Sequence, residues 1–457
     1  MNVNVEPVSP VMERLSAYIF EALRAEPPAE VVEKGKHHLL DTVAAMVSGA
    51  RLKPGRIAIS YVDSLGGAPQ CTVIGSKTLN NPVNAALANG MHGHADETDD
   101  SHLGARFHPG CGVVPGALAA AELKGRSGAD LLKAVILGYD VGVRFNYSMG
   151  PRKVYSGGHS THSVGTLFGA SAAAAALMQE TQLQVQHQLS YTVQQASGVQ
   201  CWIRDDQHIE KAFDFGGMTA RNALSAATMV AHGCTGVDDA LSGYLNFFSA
   251  FADDPQPDAL IDGLGSRWEI LEASIKKWCV GSPCQAVLDA VTILMETEGL
   301  SADDVEAITL EMPDDRAHLV DNRPMPNVNV QQLVSLALVD RGLTFEAAHD
   351  YDRMNDPAVQ EIRRRIDLVY SPELTEARPA RQAIMSVRTK SGRELRHHTI
   401  AVKGTPANRM TRDEVVAKAR DLMEPHVGQE TSDRLIDSLL NIETLKDLSS
   451  LRPLLQA

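Results

Sequence analysis

The sequence predicts a mainly helical protein, a large all-helical domain interrupted by a smaller α+β domain, and three observations predict it. Apolar residues recur every three to four positions through most of the first 265 residues, the spacing of helices with one buried face. Two stretches there, 165–179 and 219–233, are rich in Ala, Gly and Ser on nearly every face, which suits helices enclosed by other helices. After about residue 265 the pattern changes to apolar–polar alternation over 304–312 and 383–402, which is strand spacing.

In chain order, 11–25 and 29–49 read as the first helices, the second stopping at Gly49. A helix over 82–94 carries Asn89, His92 and His94 towards an acidic segment. Helices follow at 113–124 and 129–149, then the enclosed pair at 165–179 and 219–233. In the second region Ser391-Gly392 breaks 383–402 into a hairpin, with helices expected at 328–341 and 356–366. Residues 410–426 read as helix again, with Thr411 and Glu414 spaced as a capping box. The domain expectation is therefore 1–265 with 405–457 for the helical part and 266–404 for the α+β part.

A chain of 457 residues is too long for a single core. Its 44% hydrophobic and 22% charged content is that of an ordinary soluble protein. A net charge of −15 argues against nucleic acid and anionic membranes as partners. An anionic substrate would need a local positive site. Six cysteines are scattered without a CxxC pair, so they read as buried thiols in a reducing compartment; Cys279 and Cys284 lack the spacing of a zinc site. The first residues have no basic region ahead of an apolar run, and no apolar stretch is long enough for a bilayer. A cytoplasmic protein is the expectation. Walker, dinucleotide, GxSxG and HExxH signatures are absent, so neither nucleotide nor flavin binding is expected.

The chemistry concentrates in 92–108, which places His92, His94, His102 and His108 with Asp96, Glu97, Asp99 and Asp100 within 17 positions. Crowded carboxylates raise one another's pKa and imidazoles titrate near neutrality, the ingredients of proton transfer. Read as metal ligands, His92, His94, Asp99 and His102 have suitable types without an established spacing. A second cluster, Gly157-Gly158-His159-Ser160-Thr161-His162, precedes the Ala-rich helix, whose N-terminal dipole lowers an imidazole's pKa and attracts anions. Lys211 stands before a helical stretch that contains Arg221, and Lys276-Lys277-Trp278 lies at the change of domain.

In their order these motifs resemble the MmgE/PrpD family along nearly the whole chain. The resemblance rests on Asp41-Thr42-Val43-Ala44, Asn89-Gly90 with His94, His108-Pro109, Gly138-Tyr139-Asp140-Val141, His159-x-Thr161, Lys211 with Ala220-Arg221-Asn222, Lys276-x-Trp278 and Gly404-x-Pro406-x-Asn408. It implies a helical domain and an α+β lid, usually in a homodimer, and a small polycarboxylate substrate with no metal or organic cofactor. The implied activity is a cofactor-independent lyase, a dehydratase of the 2-methylcitrate dehydratase kind. Decarboxylation as in cis-aconitate decarboxylase, epimerisation, and carboxylate binding without catalysis are the alternatives. His159, His108, Glu97, Lys211 and Lys276 are the implied catalytic residues. His159 is expected as the base, and His108 or Glu97 as the acid. Ser101, Asp100, His102, His162, Arg221 and Gln285 are expected to contact substrate, with Arg144 a further cation. The chain departs from the family at Glu97, where Asp is usual, at Ser101, where Thr is usual, and at Gly281 and Gln285, where His is often found.

Overall fold

The computed structural model describes residues 7–456 and is mainly helical. The chain divides into two compact units: one runs to Ala273 and resumes at Val415, and the other is Ser274–Glu414. The first boundary lies beyond 265 because Arg267 and Glu269 belong to the helical unit. The Glu269 N–H donates to Asp140 at 3.1 Å, and the Arg267 carbonyl accepts from the buried Arg144 at 2.9 Å. The second lies beyond 404 because Gly404 accepts from the Ile275 N–H at 3.1 Å and Lys403 pairs with Glu414 at 2.9 Å, both inside the α+β unit.

In the helical unit, helix Thr161–Met178 is buried along almost its whole length. It packs against helices Gly110–Lys124, Gly128–Met149 and Met218–Ala231. The packing needs glycine. A Cβ on Gly138 or on Gly169 would meet the other's carbonyl oxygen, so the two backbones touch directly. Phe145 and Phe168 stack 3.7 Å apart beside this contact. The helix begins four residues earlier than its apolar pattern, at Thr161, because the Ser160 hydroxyl caps it by accepting from the Ser163 N–H at 3.3 Å. His162 therefore sits in the first turn, not in the turn before it.

Helices Lys53–Leu65, Gln182–Gln194, Gln285–Glu298 and Gln429–Leu440 go beyond the expected set. The capping box at Thr411 and Glu414 forms and opens helix Arg412–Val427. The α+β unit carries a four-stranded sheet ordered Ile366–Ser371, Val305–Pro313, Ala383–Thr389, Glu394–Thr399. The first pair is parallel and the others antiparallel. The hairpin turns at Gly392, whose φ of +84° suits glycine. The Ile366–Ser371 strand escapes alternation because it is an edge strand with most of its side chains exposed or half-buried. Helices Gln285–Glu298 and Val330–Asp340 supply much of the rest of this unit's core. No helix among the described residues is long and apolar enough to cross a membrane.

Candidate active site

The site grows from the loop after helix Pro82–Gly93. That helix is capped by Asn81, and Gly90 lets it rest directly on the Gly216 backbone. Residues 94–102 are all buried, so each polar group needs a partner. Asp100 is the anchor. Its carboxylate accepts from Tyr139 at 2.6 Å and the Gly110 N–H at 3.0 Å, and lies 2.7 Å from His38 Nδ1. Burial pushes this carboxyl up, but His38 and Tyr139 outweigh it and hold the group below its ordinary value. His102 Nδ1 accepts from the Ala105 N–H at 3.1 Å, and burial pushes its imidazole down to about 4. Asp100 and His102 thus serve the loop, and Ser101 is buried between them.

A distant segment pins the same loop. Lys418, in helix Arg412–Val427, lies 2.7 Å from Asp41 and donates to the Thr98 carbonyl at 3.0 Å. Burial pushes the Asp41 carboxyl up to about 6, against the pull of Lys418.

The opposite wall comes from one turn of π-helix, Phe213–Gly217, set between Lys211 and helix Met218–Ala231. A π turn inserts a residue and re-aims its neighbours. Here it drives Phe215 into the middle of the imidazoles. His162 stacks on Phe215 at 3.8 Å and His94 at 4.2 Å, while His108 lies 5.5 Å from it. Trp202 meets Phe215 edge-on at 4.8 Å, and His208 lies 5.0 Å from His94. His108 is 5.1 Å from His94 and 5.3 Å from His162. Asp99 orients it, with His108 Nδ1 3.1 Å from the carboxylate. Lys211 pairs with Glu97, and its ammonium sits 5.5 Å from the Trp202 ring and 5.3 Å from Phe215. Burial, then the neighbouring cations, keeps His162 well below its ordinary value, hence neutral.

His108, Glu97, Lys211 and His162 are therefore brought together. His159 is exposed just ahead of the Ser160 cap, with its ring 5.8 Å from Phe251. Lys276 lies in the α+β unit and is buried there. In that unit Gln285 braces the chain at 278–280, donating to the Trp278 and Val280 carbonyls at 2.8 and 3.1 Å and accepting from the Trp278 N–H at 3.1 Å. Arg221 is half-buried and donates to Asn222. Arg144 is fully buried, committed to Asp140 at 2.9 Å and to the carbonyls of Asp262 and Arg267.

Sequence reasoning passed over Phe215, Trp202, His208 and Lys418. The first two look like ordinary core aromatics, and Lys418 lies 320 positions from the Thr98 carbonyl it holds. It also passed over Asp214, whose carboxyl accepts from the Ser160 hydroxyl at 2.5 Å. Burial pushes that carboxyl up to about 7, against the Ser160 bond. Among the described residues, His94, Glu97 and His208, or alternatively His94, Asp99 and Cys111, stand close enough to share a metal ion. His92 and His102 belong to neither group.

Comparison with known proteins gives a consistent picture. The family model for the MmgE/PrpD N-terminal domain matches residues 13–260, and that for the MmgE/PrpD C-terminal domain matches 278–444. A cis-aconitate decarboxylase-like protein of Aspergillus oryzae is 26% identical over 98% of both chains. Cis-aconitate decarboxylase of Aspergillus terreus is 24% identical, covering 94% of this chain and 92% of the relative. The human cis-aconitate decarboxylase is 25% identical, covering 93% and 90%.

Proposed function

As this chain belongs to the MmgE/PrpD family, whose members are lyase-type enzymes, we propose that it is a lyase for a small di- or tricarboxylate, releasing carbon dioxide from an unsaturated acid of the cis-aconitate kind. One observation carries this reading: a Lys–Glu pair and an Asp-oriented imidazole meet at an aromatic wall. A carboxylate laid against Phe215 and Trp202 is stripped of water, which favours its departure as neutral carbon dioxide. Lys211 has three donors, so it can hold Glu97 and a second substrate carboxylate together. As the bond to the departing carboxylate breaks, its electron pair moves onto the carbon framework, and the Lys211 charge stabilises the resulting enolate. His108, held by Asp99, then gives a proton to carbon. His159 is the solvent-facing proton carrier in this scheme. The names of the relatives, matched along more than nine-tenths of this chain, support the decarboxylase form.

Dehydration of a hydroxy acid is the second reading, favoured by the second imidazole. His162 is neutral and its Nδ1 lacks a hydrogen-bond partner, so it could take the α-proton while His108 protonates the leaving hydroxyl. One experiment separates the two. The purified protein is incubated in deuterated water with cis-aconitate-like and citrate-like acids, followed by proton NMR and carbon dioxide capture. Carbon dioxide with deuterium at carbon supports the first reading, and a vinyl signal without carbon dioxide supports the second. Neither signal with any acid of either class overturns both.

A further inference from the structure

We propose that His94, Glu97 and His208 form a binding site for one divalent transition-metal ion of the zinc or cobalt class, and that the ion acts as an inhibitor by drawing Glu97 away from Lys211. The donor atoms of these three buried residues lie within 4.8 Å of one another. A tetrahedral ion with bonds of about 2.0–2.2 Å holds neighbouring ligands roughly 3.4 Å apart. Each donor then needs to move by less than about an ångström. Two imidazoles and one carboxylate is a set that leaves a fourth position open.

The second observation is independent of that spacing. His94 Nε2 and His208 Nε2 are buried without a hydrogen-bond partner, and both side chains are more than nine-tenths buried. Buried nitrogens are normally satisfied by the fold. The two rings lie 5.0 Å apart, and each carries such an orphaned nitrogen. The alternative triad of His94, Asp99 and Cys111 is already engaged, since Asp99 holds His108 and Cys111 donates to the His108 carbonyl at 3.2 Å. Because His94 belongs to both triads, only one ion can be held. Lys211 does not forbid the ion. A carboxylate that ligates a metal through one oxygen is commonly held by a partner on the other, so Lys211 then shares Glu97 with the ion and holds it less tightly than it does now.

The test uses the intact protein and cobalt(II) alone. The expected result is one equivalent bound, with the intense visible bands of tetrahedral cobalt and no thiolate charge-transfer band. His208→Asn should weaken binding by at least about tenfold. Asn tolerates the left-handed φ of +59° at this position, and zinc inhibition is read against each protein's own zinc-free turnover. Zinc should inhibit the unaltered protein and not this variant. No bound cobalt, a thiolate band, or unaltered affinity in His208→Asn would each overturn the site. The spectrum of the unaltered protein decides the ligand set even if the variant does not fold. The inhibition arm rests on the lyase reading. The cobalt measurement needs no substrate, so a protein that binds cobalt without turnover sinks the lyase reading and leaves the site standing.

Discussion

Replacing Lys418 with Met tests whether helix Arg412–Val427 holds the buried loop at 94–102. The two side chains of the Lys418–Asp41 pair are 3% and 1% exposed. Removing one member of a buried pair typically costs 3–5 kcal/mol, because the other charge is left in the core. The cost depends on pH. Even with Lys418 present, the Asp41 carboxyl is pushed up to about 6 from an ordinary 3.8. At about 1.4 kcal/mol per tenfold, its ionisation in the fold withdraws roughly 3 kcal/mol of stability. The stability associated with protonated Asp41 is therefore fully present below pH 3.8 and lost as pH rises through about 6. Losing Lys418 pushes this carboxyl higher still. At pH 5 Asp41 is then neutral with or without Lys418, and the variant should lose less, about 1.5–3 kcal/mol, of the order of the Thr98 bond. At pH 8 it should lose about 3–5 kcal/mol.

Urea unfolding followed by circular dichroism at the two pH values measures both losses. The double variant Asp41→Leu with Lys418→Met should recover most of the loss at pH 8, since apolar replacement of a buried pair is often neutral. The Thr98 carbonyl lies between Glu97 and Asp99, so turnover of the single variant should also fall. A loss below about 1 kcal/mol at pH 8, or one equal at the two pH values, would refute the reasoning, as would a double variant less stable than the single.

Phe215→Ala should cost about 3–5 kcal/mol through the cavity it opens; an unchanged melting temperature would contradict the stacking of His94 and His162 on that ring. His159→Ala should abolish turnover with stability within about 0.5 kcal/mol of the parent, because the side chain is exposed. Wild-type turnover there would end its role as proton carrier. Asp99→Asn should lower kcat without raising KM, since it orients His108 rather than holding substrate; an effect on KM alone would count against that. Asp214, pushed up to about 7, stabilises most at acid pH and loses that contribution as pH rises through about 7. Asp214→Asn should therefore flatten the fall in urea midpoint between pH 5 and pH 8, and an unaltered slope would show that Asp214 does not titrate there.

The main helices were legible because one buried face repeats at helical spacing, as in Ala29–Gly49 and Gly128–Met149. Gln182–Gln194 escaped because polar Gln186, His187, Gln188 and Ser190 fill its buried face, where pattern reading expects apolar residues. The acidic loop was legible as chemistry, but the division of labour inside it was not. Nothing in the order of Glu97, Asp99, Asp100 and His102 tells which carboxylate faces Lys211, which orients His108 and which is spent on Tyr139. Those assignments depend on partners 9 to 114 positions away. The π turn was equally hidden, since a single inserted residue leaves no periodic trace in five residues.

These contacts explain how so polar a cluster survives burial in a chain of net charge −15. Carboxylates in it are matched locally: Glu97 by Lys211, Asp41 by Lys418, Asp100 by His38, and Asp99 by His94 and His108. His162 and His208 instead remain uncharged, because burial and the Lys211 ammonium both oppose their protonation. Lys211 is thus the control point of the cluster. In the proposed scheme it supplies the positive charge for a carboxylate substrate, and it opposes protonation of His162. The aromatic wall strengthens both effects by excluding water and lowering the local dielectric. A substitution at Lys211 that preserves size but removes charge, such as Lys211→Met, should therefore act twice. It should weaken carboxylate binding and raise the pKa of His162, displacing the pH profile of any residual turnover upward. A loss of binding without that displacement would mean that His162 is insulated from Lys211 and takes no part in proton transfer.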